Sequence, residues 1–541
     1  MALPTPAQLG LPRKFTAWYP HQEEALERIL LSERPYILVD APTGSGKTLI
    51  AAAAAKLLRL RAFYACTTKA LQDQFAKDFP YARVLKGRAN YHTYNYPHLF
   101  PKVSCEDCEG PDPGPCKYCA EKVLDREGEP VLDEDRKEVY RHPCPYRIAK
   151  QAALGADMAC INTAFLLVEA NLVGGFSGWP LGILDEADTL EEQLMGHIEL
   201  YIPQWFAALF MVNSGPKRRT KEGAWLQWAE GIRQQCLVLE HAVHYTSARQ
   251  ERRAKAIMRK LDDFCHALRV GQLWANCTQK EHDATGPWSF KPVQVSPYAK
   301  ANLWRHAERW LLLSATFLGS DVFCRDMGLN RAEVEWIVLP STFPKQRRPV
   351  YYAPTQALSR KTTDFAPLVE RVVQVCKRVT PVLVHVRSYK LAGKVIGGLE
   401  KEGIAYCTYH NAGERRKALD WFKAQGGVLV APSMERGVDL PYEECRGVVI
   451  AKCPFPSLGD KQVSMRLYAT AGGKQWYASQ TVRTIVQAAG RGMRAADDEC
   501  EVWILDTQFG RLLATQKRLF PEWFREVLWM VEDGKGPVPL T

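Results

Sequence analysis

The sequence predicts an α/β fold with two lobes, each built on a parallel β-sheet. The chain has 541 residues, of which 46% are hydrophobic and 24% charged, and this balance is typical of globular domains. Short apolar runs alternate with helix-like stretches, a pattern that favours buried parallel strands joined by helices. Because the runs fall into two blocks, we expect two sheets.

Each block contains four of these apolar runs. In the first block they are Tyr36–Val39, Ala62–Cys66, Ile183–Leu184 and Leu311–Leu313, and in the second Val382–Val386, Val428–Ala431, Val448–Ala451 and Val502–Leu505. Residues 90–150, which are rich in cysteine, and residues 190–290, which look helical, interrupt the first block. The predicted domains are therefore lobe one (1–90, 150–190 and 290–340), two insertions (90–150 and 190–290) and lobe two (341–541).

Composition argues against a membrane or secreted protein. The longest charge-free apolar run in a helical pattern is Leu49–Ala55, 7 residues long, whereas a membrane helix needs roughly 20. The first residues hold Pro4, Pro6 and Pro12 and no apolar core of a signal peptide. We expect an intracellular protein, cytoplasmic or nucleoid-associated, with no membrane partner.

Charge is unevenly distributed along the chain, whose formal net charge is +11. Residues 105–140 contain 12 acidic and 5 basic side chains, whereas residues 217–260 contain 4 acidic and 11 basic ones. The basic stretch is either a solvated helical face or a surface that contacts nucleic-acid phosphates.

A phosphate-binding loop follows the first apolar run and precedes a helix-favouring stretch, the context that makes this motif credible. Two glycines let the backbone approach phosphate oxygens, the lysine reaches the β- and γ-phosphates, and the threonine hydroxyl can bind Mg²⁺. The loop consists of Ala41, Pro42, Thr43, Gly44, Ser45, Gly46, Lys47 and Thr48.

Two further motifs suit phosphate chemistry. Asp185 and Glu186 follow an apolar run, where one carboxylate can hold Mg²⁺ and the other can polarise the attacking water. Gln487, Arg491 and Arg494 belong to a later helical motif whose arginines can stabilise a phosphate during transfer.

Five clustered cysteines indicate a metal site. Cys105 and Cys108 form one pair, Cys116 and Cys119 form a second, and Cys144 lies beyond them. Four thiolates can hold either a 4Fe–4S cluster or a tetrahedral Zn²⁺ ion. Spacing alone favours zinc, because Cys144 would then be surplus.

These motifs, in this order, resemble those of a superfamily 2 helicase, and the residues between them resemble the XPD/DinG family of iron–sulfur DNA helicases. The likeness covers about residues 15–515. Further motifs that carry it are Tyr19-Pro-His-Gln22, Thr67–Gln72, Lys86–Tyr91, Cys144-Pro-Tyr146, Leu313-Ser-Ala-Thr316, Val382–Tyr389 and Glu435–Asp439. The sequence departs from the family at Asp188, where a histidine is usual, and at His92 and Thr93, where the first cluster cysteine is usual.

The resemblance implies two RecA-like lobes with ATP and Mg²⁺ between them, an iron–sulfur insertion and a short helical arch. It implies that Gln22 reads adenine and that Gly437 and Asp439 couple the nucleotide to DNA. It also favours the 4Fe–4S cluster over Zn²⁺. The ligands it implies are Cys105, Cys116, Cys119 and Cys144, with Cys108 as a substitute for one of them.

The implied activity is an ATP-dependent DNA helicase, acting in DNA repair, that moves 5′ to 3′ on single-stranded DNA and unwinds forked duplex or R-loop. RNA is a weaker alternative substrate, and protein partners are unknown. Two other hypotheses stay open: a translocase that displaces proteins with little unwinding, and a redox-sensing DNA-binding module switched by ATP. The basic residues predicted to meet DNA beside the acidic loop are Lys86, Arg88, Arg141, Arg147 and Lys150.

Overall fold

A computed structural model describes most of the chain. The described residues are 3–93, 97–108, 123, 125–129, 131–132, 144–217, 220–279, 286–358, 362–411, 413–432, 440–493 and 495–540. Within these ranges, no helix combines the length and the apolar character that crossing a membrane requires.

Strands and helices alternate through most of the chain. The strands are β1 Tyr36–Asp40, β2 Ala62–Cys66, β3 Arg83–Val84, β4 Met158–Asn162, β5 Trp179–Leu184, β6 Leu200–Ile202, β7 Trp274–Asn276, β8 Trp288–Pro292, β9 Ala307–Ser314, β10 Val334–Val338, β11 Val350–Gln356, β12 Val382–His385, β13 Tyr406–Thr408, β14 Val428–Ala431, β15 Gly447–Ile450, β16 Glu501–Asp506, β17 Leu528–Met530 and β18 Val538–Pro539. The helices are α1 Gln22–Leu31, α2 Lys47–Leu58, α3 Lys69–Asp78, α4 Pro145–Leu154, α5 Thr163–Leu172, α6 Leu190–Ile198, α7 Gln204–Leu209, α8 Glu222–Leu239, α9 Ala248–Arg269, α10 Ser296–Asn302, α11 Ser320–Asp326, α12 Ala366–Arg378, α13 Tyr389–Lys401, α14 Arg415–Gln425, α15 Lys461–Ala469, α16 Gly473–Ala489, α17 Gln508–Gln516 and α18 Glu522–Arg525.

Lobe one is built on a seven-stranded sheet in the order β10-β1-β9-β5-β2-β4-β3, and every pairing in it is parallel. Both faces of the sheet are covered, so its strands are apolar on both sides. Ile37 and Val39 pack into one hydrophobic core, whereas Leu38 points into the other. All four apolar runs of the first block form strands of this sheet, as predicted.

Lobe two is built on an eight-stranded sheet in the order β13-β14-β12-β15-β16-β11-β17-β18. Its pairings are parallel except for the last, between β17 and β18. All four apolar runs of the second block form strands here, so the prediction of two parallel-sheet lobes is confirmed.

Residues 190–292, which we call the helical segment, lie between β5 and β9 of lobe one. The segment holds a three-stranded antiparallel sheet, β6-β8-β7, packed against α8 and α9. Its own core contains the fully buried side chains of Trp274, Trp288 and Phe290. The segment leaves lobe one along α6 and β6 and returns along β8, and β6 and β8 are paired neighbours.

The sheet order of lobe one brings three loops together. Strands β1, β9 and β5 are adjacent and parallel, so their carboxyl ends meet at one edge of the sheet. Loops at this edge of an open α/β sheet commonly form the binding site. The glycine loop follows β1, Asp185 follows β5, and Ser314 ends β9.

Candidate active site

The glycine loop needs its two glycines for both backbone conformation and space. Gly44 and Gly46 have φ angles of 83° and 72°, values that residues with a side chain rarely adopt. A Cβ atom on Gly44 would lie 2.2 Å from the ring of Phe343, and one on Gly46 would lie 2.3 Å from the amide nitrogen of Gln22. Helix α2 begins immediately afterwards at Lys47, so its free N–H groups point toward the loop.

Lys47 is held inside the loop. Its Nζ donates to the carbonyl oxygens of Ala41 at 3.0 Å and Pro42 at 3.3 Å. Burial lowers the pKa of Lys47, while the carboxylates of Asp185, Glu186 and other nearby acids raise it. The ammonium therefore lies among carboxylates and carbonyls, in a position that suits a polyphosphate bound with its own cation.

Gln22, predicted to read adenine, braces the loop. Its Nε2 donates to the carbonyls of Ser45 at 2.9 Å and Gly46 at 3.3 Å, and its Oε1 accepts from the backbone N–H of Tyr19. Because both amide hydrogens are used on the loop, only Oε1 retains a lone pair for another ligand. Adenine recognition by Gln22 stays a prediction.

Two carboxylates follow β5 in the order that the sequence predicts. Asp185 Oδ2 accepts from the hydroxyl of Tyr64 at 2.6 Å, and Glu186 Oε2 accepts from the hydroxyl of Thr67 at 2.5 Å. Burial raises the pKa of Glu186, whereas the hydrogen bond from Thr67 and the charge of Arg491 lower it. Glu186 also has a φ angle of 50°, a strained backbone conformation of the kind found at functional sites.

Asp188, where the sequence departs from the family, joins the two lobes. Its Oδ1 accepts from the hydroxyl of Ser314 at 2.7 Å in lobe one. Its Oδ2 accepts from the side-chain amide of Gln487 at 2.7 Å in lobe two. Gln487 also donates to the hydroxyl of Thr316 at 3.1 Å. The motif after β5 and the motif on α16 therefore meet through direct hydrogen bonds.

The described residues contain only part of the predicted site. Gln487 lies on α16, and Arg491 follows that helix closely enough for its charge to act on Glu186. Gly437, Asp439, Arg494, Cys116, Cys119 and Arg141 lie outside the described residues.

Sequence reasoning missed two side chains of this site. Tyr64 was predicted only as part of an apolar strand. A tyrosine hydroxyl in a buried run needs a hydrogen-bond partner, and here that partner is Asp185. Asp40 ends β1 directly before the loop and is buried. Burial raises the pKa of Asp40 to about 7, while the charge of Lys47 lowers it.

Three of the five clustered cysteines lie within the described residues and are buried. The sulfur atoms of Cys105 and Cys144 are 3.7 Å apart, and Cys108 packs in the same core. A hydrogen bond with Cys108 lowers the pKa of Cys105, but the contact with Cys144 and burial raise it, to a net value of about 12. In the part of the chain that the structure covers, no group of three or more histidine, cysteine or acidic residues is arranged to hold a metal ion.

Arginines of the helical segment contact residues 104–108, which we call the cysteine loop. Arg249 Nε lies 2.9 Å from Glu106 Oε1, and Arg253 Nη2 lies 3.6 Å from the same oxygen. Arg252 donates to the carbonyls of Cys108, at 3.2 Å, and of Glu106. These three arginines of the basic stretch therefore bind an acidic loop of the same chain.

The prediction that Lys150 meets DNA is wrong. Lys150 is buried and forms an ion pair with the buried Glu169 at 2.5 Å, so its ammonium group is not available to a DNA phosphate. Of the other predicted residues, Lys86 pairs with Asp73 at 2.5 Å, and the Arg88 guanidinium lies 4.9 Å from the ring centroid of Tyr146.

Comparison with known protein families gives two matches. Residues 372–527 match the family described as Helicase C-terminal domain, and residues 15–97 match the family described as type III restriction enzyme, res subunit. The chain is also 29% identical over 108 residues to the regulator of telomere elongation helicase 1 homolog of Caenorhabditis elegans, and 25% identical to its Caenorhabditis briggsae counterpart. Each of these matches covers 18% of this chain and 11% of the relative, so the chain corresponds to about a tenth of those proteins.

Solved structures resemble the whole fold. A structure titled XPD helicase matches with a TM-score of 0.58 and 13% identity, over 94% of this chain and 98% of that one. The Xpd4 protein of S. tokodaii matches with a TM-score of 0.57 and 13% identity, over 95% of this chain and 100% of that one. At this identity the likeness concerns the fold, and it confirms the prediction of two RecA-like lobes.

Proposed function

We propose that the chain is an ATP-dependent DNA helicase of the XPD-like group in superfamily 2, on the basis of its match to the helicase C-terminal domain family over residues 372–527 and its fold likeness to XPD helicase. The observation that carries the proposal is the pair of hydrogen bonds from Gln487 of lobe two to Asp188 and Thr316 of lobe one. These bonds lie beside the glycine loop, so a nucleotide bound there contacts both lobes. Closing and opening of the cleft can then be driven by ATP binding and hydrolysis.

The proposed chemistry is phosphoryl transfer to water. The backbone of Ala41–Gly46 and the side chain of Lys47 hold the phosphates, and Glu186 orients the attacking water and accepts its proton. Thr48 and Asp185 are the proposed Mg²⁺ ligands, and the ion neutralises charge on the phosphates. Arg491 and Arg494 stabilise the charge that develops on the transferred group.

The proposed nucleotide contacts extend beyond the phosphates. Gln22 is the proposed adenine-binding residue, and the exposed ring of Tyr19 lies nearby, beside Gly46. Gly437 and Asp439 of lobe two couple the nucleotide to DNA. This coupling rests on the motif Glu435–Asp439 and on its order in the chain.

We further propose that Cys105, Cys116, Cys119 and Cys144 hold a 4Fe–4S cluster, with Cys108 as a substitute ligand and Zn²⁺ as the alternative metal. The 3.7 Å contact between the sulfur atoms of the buried Cys105 and Cys144 supports these two cysteines as donors. A bound cluster would stiffen this acidic stretch, whose sequence offers few apolar residues for a core.

The proposed substrate is single-stranded DNA that leads into a forked duplex or an R-loop, with movement 5′ to 3′. Base stacking opposes strand separation by roughly 1.4 kcal/mol per step, which ATP turnover at each step can offset. Support for DNA comes from the family, and support for the polarity comes from the resemblance of the motifs.

The test is ATP hydrolysis with and without single-stranded DNA, together with strand displacement on duplexes that carry a 5′ or a 3′ tail. We expect DNA-stimulated hydrolysis and displacement only from the 5′ tail. Lys47→Ala should lower turnover by at least about 100-fold, because the phosphates lose their cation. Lys56→Ala, on the same helix, serves as the control. Normal turnover in Lys47→Ala would contradict the proposal.

A further inference from the structure

Helix α15 of lobe two inserts one arginine deeply between the lobes. Arg466 is 3% exposed, and its Nη2 lies 2.9 Å from Asp326 Oδ1 and 3.6 Å from Glu191 Oε1, both in lobe one or at its edge. Its Nη1 donates to Gln294 Oε1 at 2.6 Å. A guanidinium is suited to this position because its planar fork can reach several acceptors at once.

The partners of Arg466 lie at the two ends of the helical segment. Glu191 is in the first turn of α6, which leads out of lobe one into the segment. Gln294 follows β8, which leads back. Gln462, one turn before Arg466 on α15, donates to the carbonyl of Val293 at 2.8 Å. A single helix of lobe two therefore holds both connections between lobe one and the helical segment.

The same contact is linked to the ATP site along two helices. Glu191 lies three residues after Asp188, and its Oε2 accepts from the indole N–H of Trp476 at 2.9 Å. Trp476 and Gln487 both belong to α16, and eleven residues of helix span about 16 Å. Lobe two is thus joined to the stretch after β5 at two points: Gln487 on Asp188 beside the nucleotide site, and Trp476 with Arg466 on Glu191 farther away.

The remote contact is costly to open. Arg466 and Asp326 are almost fully buried, with side chains 3% and 6% exposed. Separating them would leave a charge without a partner in an apolar environment. The indole of Trp476 covers the Arg466 guanidinium at 5.5 Å and adds a cation–π contact. We therefore expect this contact to stay closed when the cleft changes width.

We propose that Arg466 is a positioning residue that makes the helical segment move with lobe two, so that closure of the ATP cleft is converted into displacement of that segment. The inference rests on the proposed function, since it assumes that ATP moves the lobes. Arg466 touches neither the phosphate loop nor Glu186, so its loss should affect the use of ATP more than hydrolysis itself.

The first measurement separates coupling from catalysis. Arg466→Gln should keep DNA-stimulated hydrolysis within about twofold of the wild type, while base pairs unwound per ATP fall about tenfold, a change in the usual range of coupling energies. Arg466→Lys keeps the positive charge but loses the planar guanidinium fork. Its number of base pairs unwound per ATP should lie between those of the wild type and Arg466→Gln. Unwinding per ATP equal to the wild type in Arg466→Gln would overturn the inference.

A second measurement reports movement directly. Fluorophores introduced through non-natural amino acids at Val238, 69% exposed in the helical segment, and at Arg416, 92% exposed in lobe two, report the distance between them. If the segment follows lobe two, this distance should stay constant on addition of ATP analogue in the wild type and change in Arg466→Gln. A distance that changes equally in both proteins would overturn the inference.

Two further variants test whether a loss of unwinding comes only from poor folding or general destabilisation. Gln294→Ala removes one contact from a half-buried side chain and should also lower unwinding per ATP, even if Arg466→Gln folds poorly. Arg348→Gln removes a buried arginine from its ion pair with the partly buried Glu526 inside lobe two, at 2.5 Å, and should lower stability alone. Equal uncoupling by Arg348→Gln would assign the effect to general destabilisation and overturn the inference. Absence of hydrolysis in the wild type would instead refute the proposed function.

Discussion

Two groups of side chains matter most in this molecule. One group lines the proposed nucleotide site, and the other forms the contacts between the two lobes. Arg491 belongs to the first group, because its charge acts on Glu186 across the cleft. Arg491→Ala should lower kcat more than it raises KM for ATP, since the charge it stabilises develops in the transition state. Steady-state kinetics of DNA-stimulated hydrolysis checks this, with Arg511→Ala on the lobe-two surface as the control. A rise in KM alone would indicate that Arg491 binds only ground-state phosphate.

Glu191 belongs to the second group and should make stability depend on pH. Burial and the charge of Asp326 raise the pKa of Glu191, whereas the charge of Arg466 lowers it, and the net result is a pKa of about 7 in place of 4.5. The folded protein therefore keeps a proton that the unfolded chain releases near pH 4.5. Its contribution to stability is fully present below that pH and is lost as the pH rises through about 7.

Glu191→Gln cannot titrate, so its free energy of unfolding should fall less than that of the wild type between about pH 5 and about pH 8. Denaturant unfolding at the two pH values measures the difference. Glu192→Gln, at the exposed neighbouring position, should behave as the wild type does. An identical pH dependence in Glu191→Gln and the wild type would contradict the assignment.

What the sequence could predict about individual residues follows from how local their interactions are. The positions of Lys47, Asp185 and Glu186 follow from short motifs next to strands, and the structure places all three around one loop. Lys150 was misjudged because its partner Glu169 lies on a different helix. The role of Asp188 could not be predicted from the sequence either, because its two hydrogen-bond partners come from β9 and from the other lobe.

Among the elements, strands were easier to predict than the contacts between helices. A fully apolar run of four or five residues, such as Val428–Ala431, has few alternatives to a buried strand once helices flank it. The position of α15 against the ends of the helical segment has no such local signal, because Arg466 meets residues more than 100 positions away. The sequence of α15, Lys461–Ala469, is typical of an ordinary half-polar helix.

The contact between α9 and the cysteine loop should depend on salt. Arg249→Gln, Arg252→Gln and Arg253→Gln together remove the cations that hold Glu106 and the loop carbonyls. We expect faster cleavage at Glu106 by a glutamate-specific protease in this variant, and in the wild type at high ionic strength, because partly exposed ion pairs are screened.

Arg233→Gln provides the matched control, since Arg233 pairs with Asp262 inside the helical segment. It should leave cleavage at Glu106 unchanged. If the triple variant and the wild type are cleaved at the same rate at low salt, the arginines do not hold the loop.

For the whole molecule, the cysteine region should be separable from the ATPase. Cys144→Ser should remove iron and abolish unwinding but spare much of the DNA-stimulated hydrolysis, because Cys144 precedes α4 and lies outside the nucleotide loop. Anaerobic purification, an absorbance scan, and iron and zinc analysis check the metal. Cys277→Ser, outside the cysteine cluster, is the control. A colourless wild-type protein with one equivalent of zinc, unaffected by Cys144→Ser, would refute the cluster.

The charge distribution of the whole molecule changes how its net charge should be understood. The acidic residues 105–140 and the basic residues 217–260 differ in sign, and the structure brings Glu106 and Asp107 against Arg249. Part of the basic excess is therefore neutralised within the chain. Fewer basic residues of this stretch remain for an external anionic partner than their count implies.

The pairing of β6 with β8 has a consequence for how this protein can vary. Ile202 and Trp288 face each other in antiparallel register, so the 85 residues between them begin and end only about 5 Å apart. A two-residue turn can bridge such a gap, and lobe one would keep its chain direction and its strand order. This module can therefore be lengthened, shortened or exchanged without rebuilding the sheet of lobe one. For the same reason, the turn offers protein engineers a place to graft a foreign reporter domain.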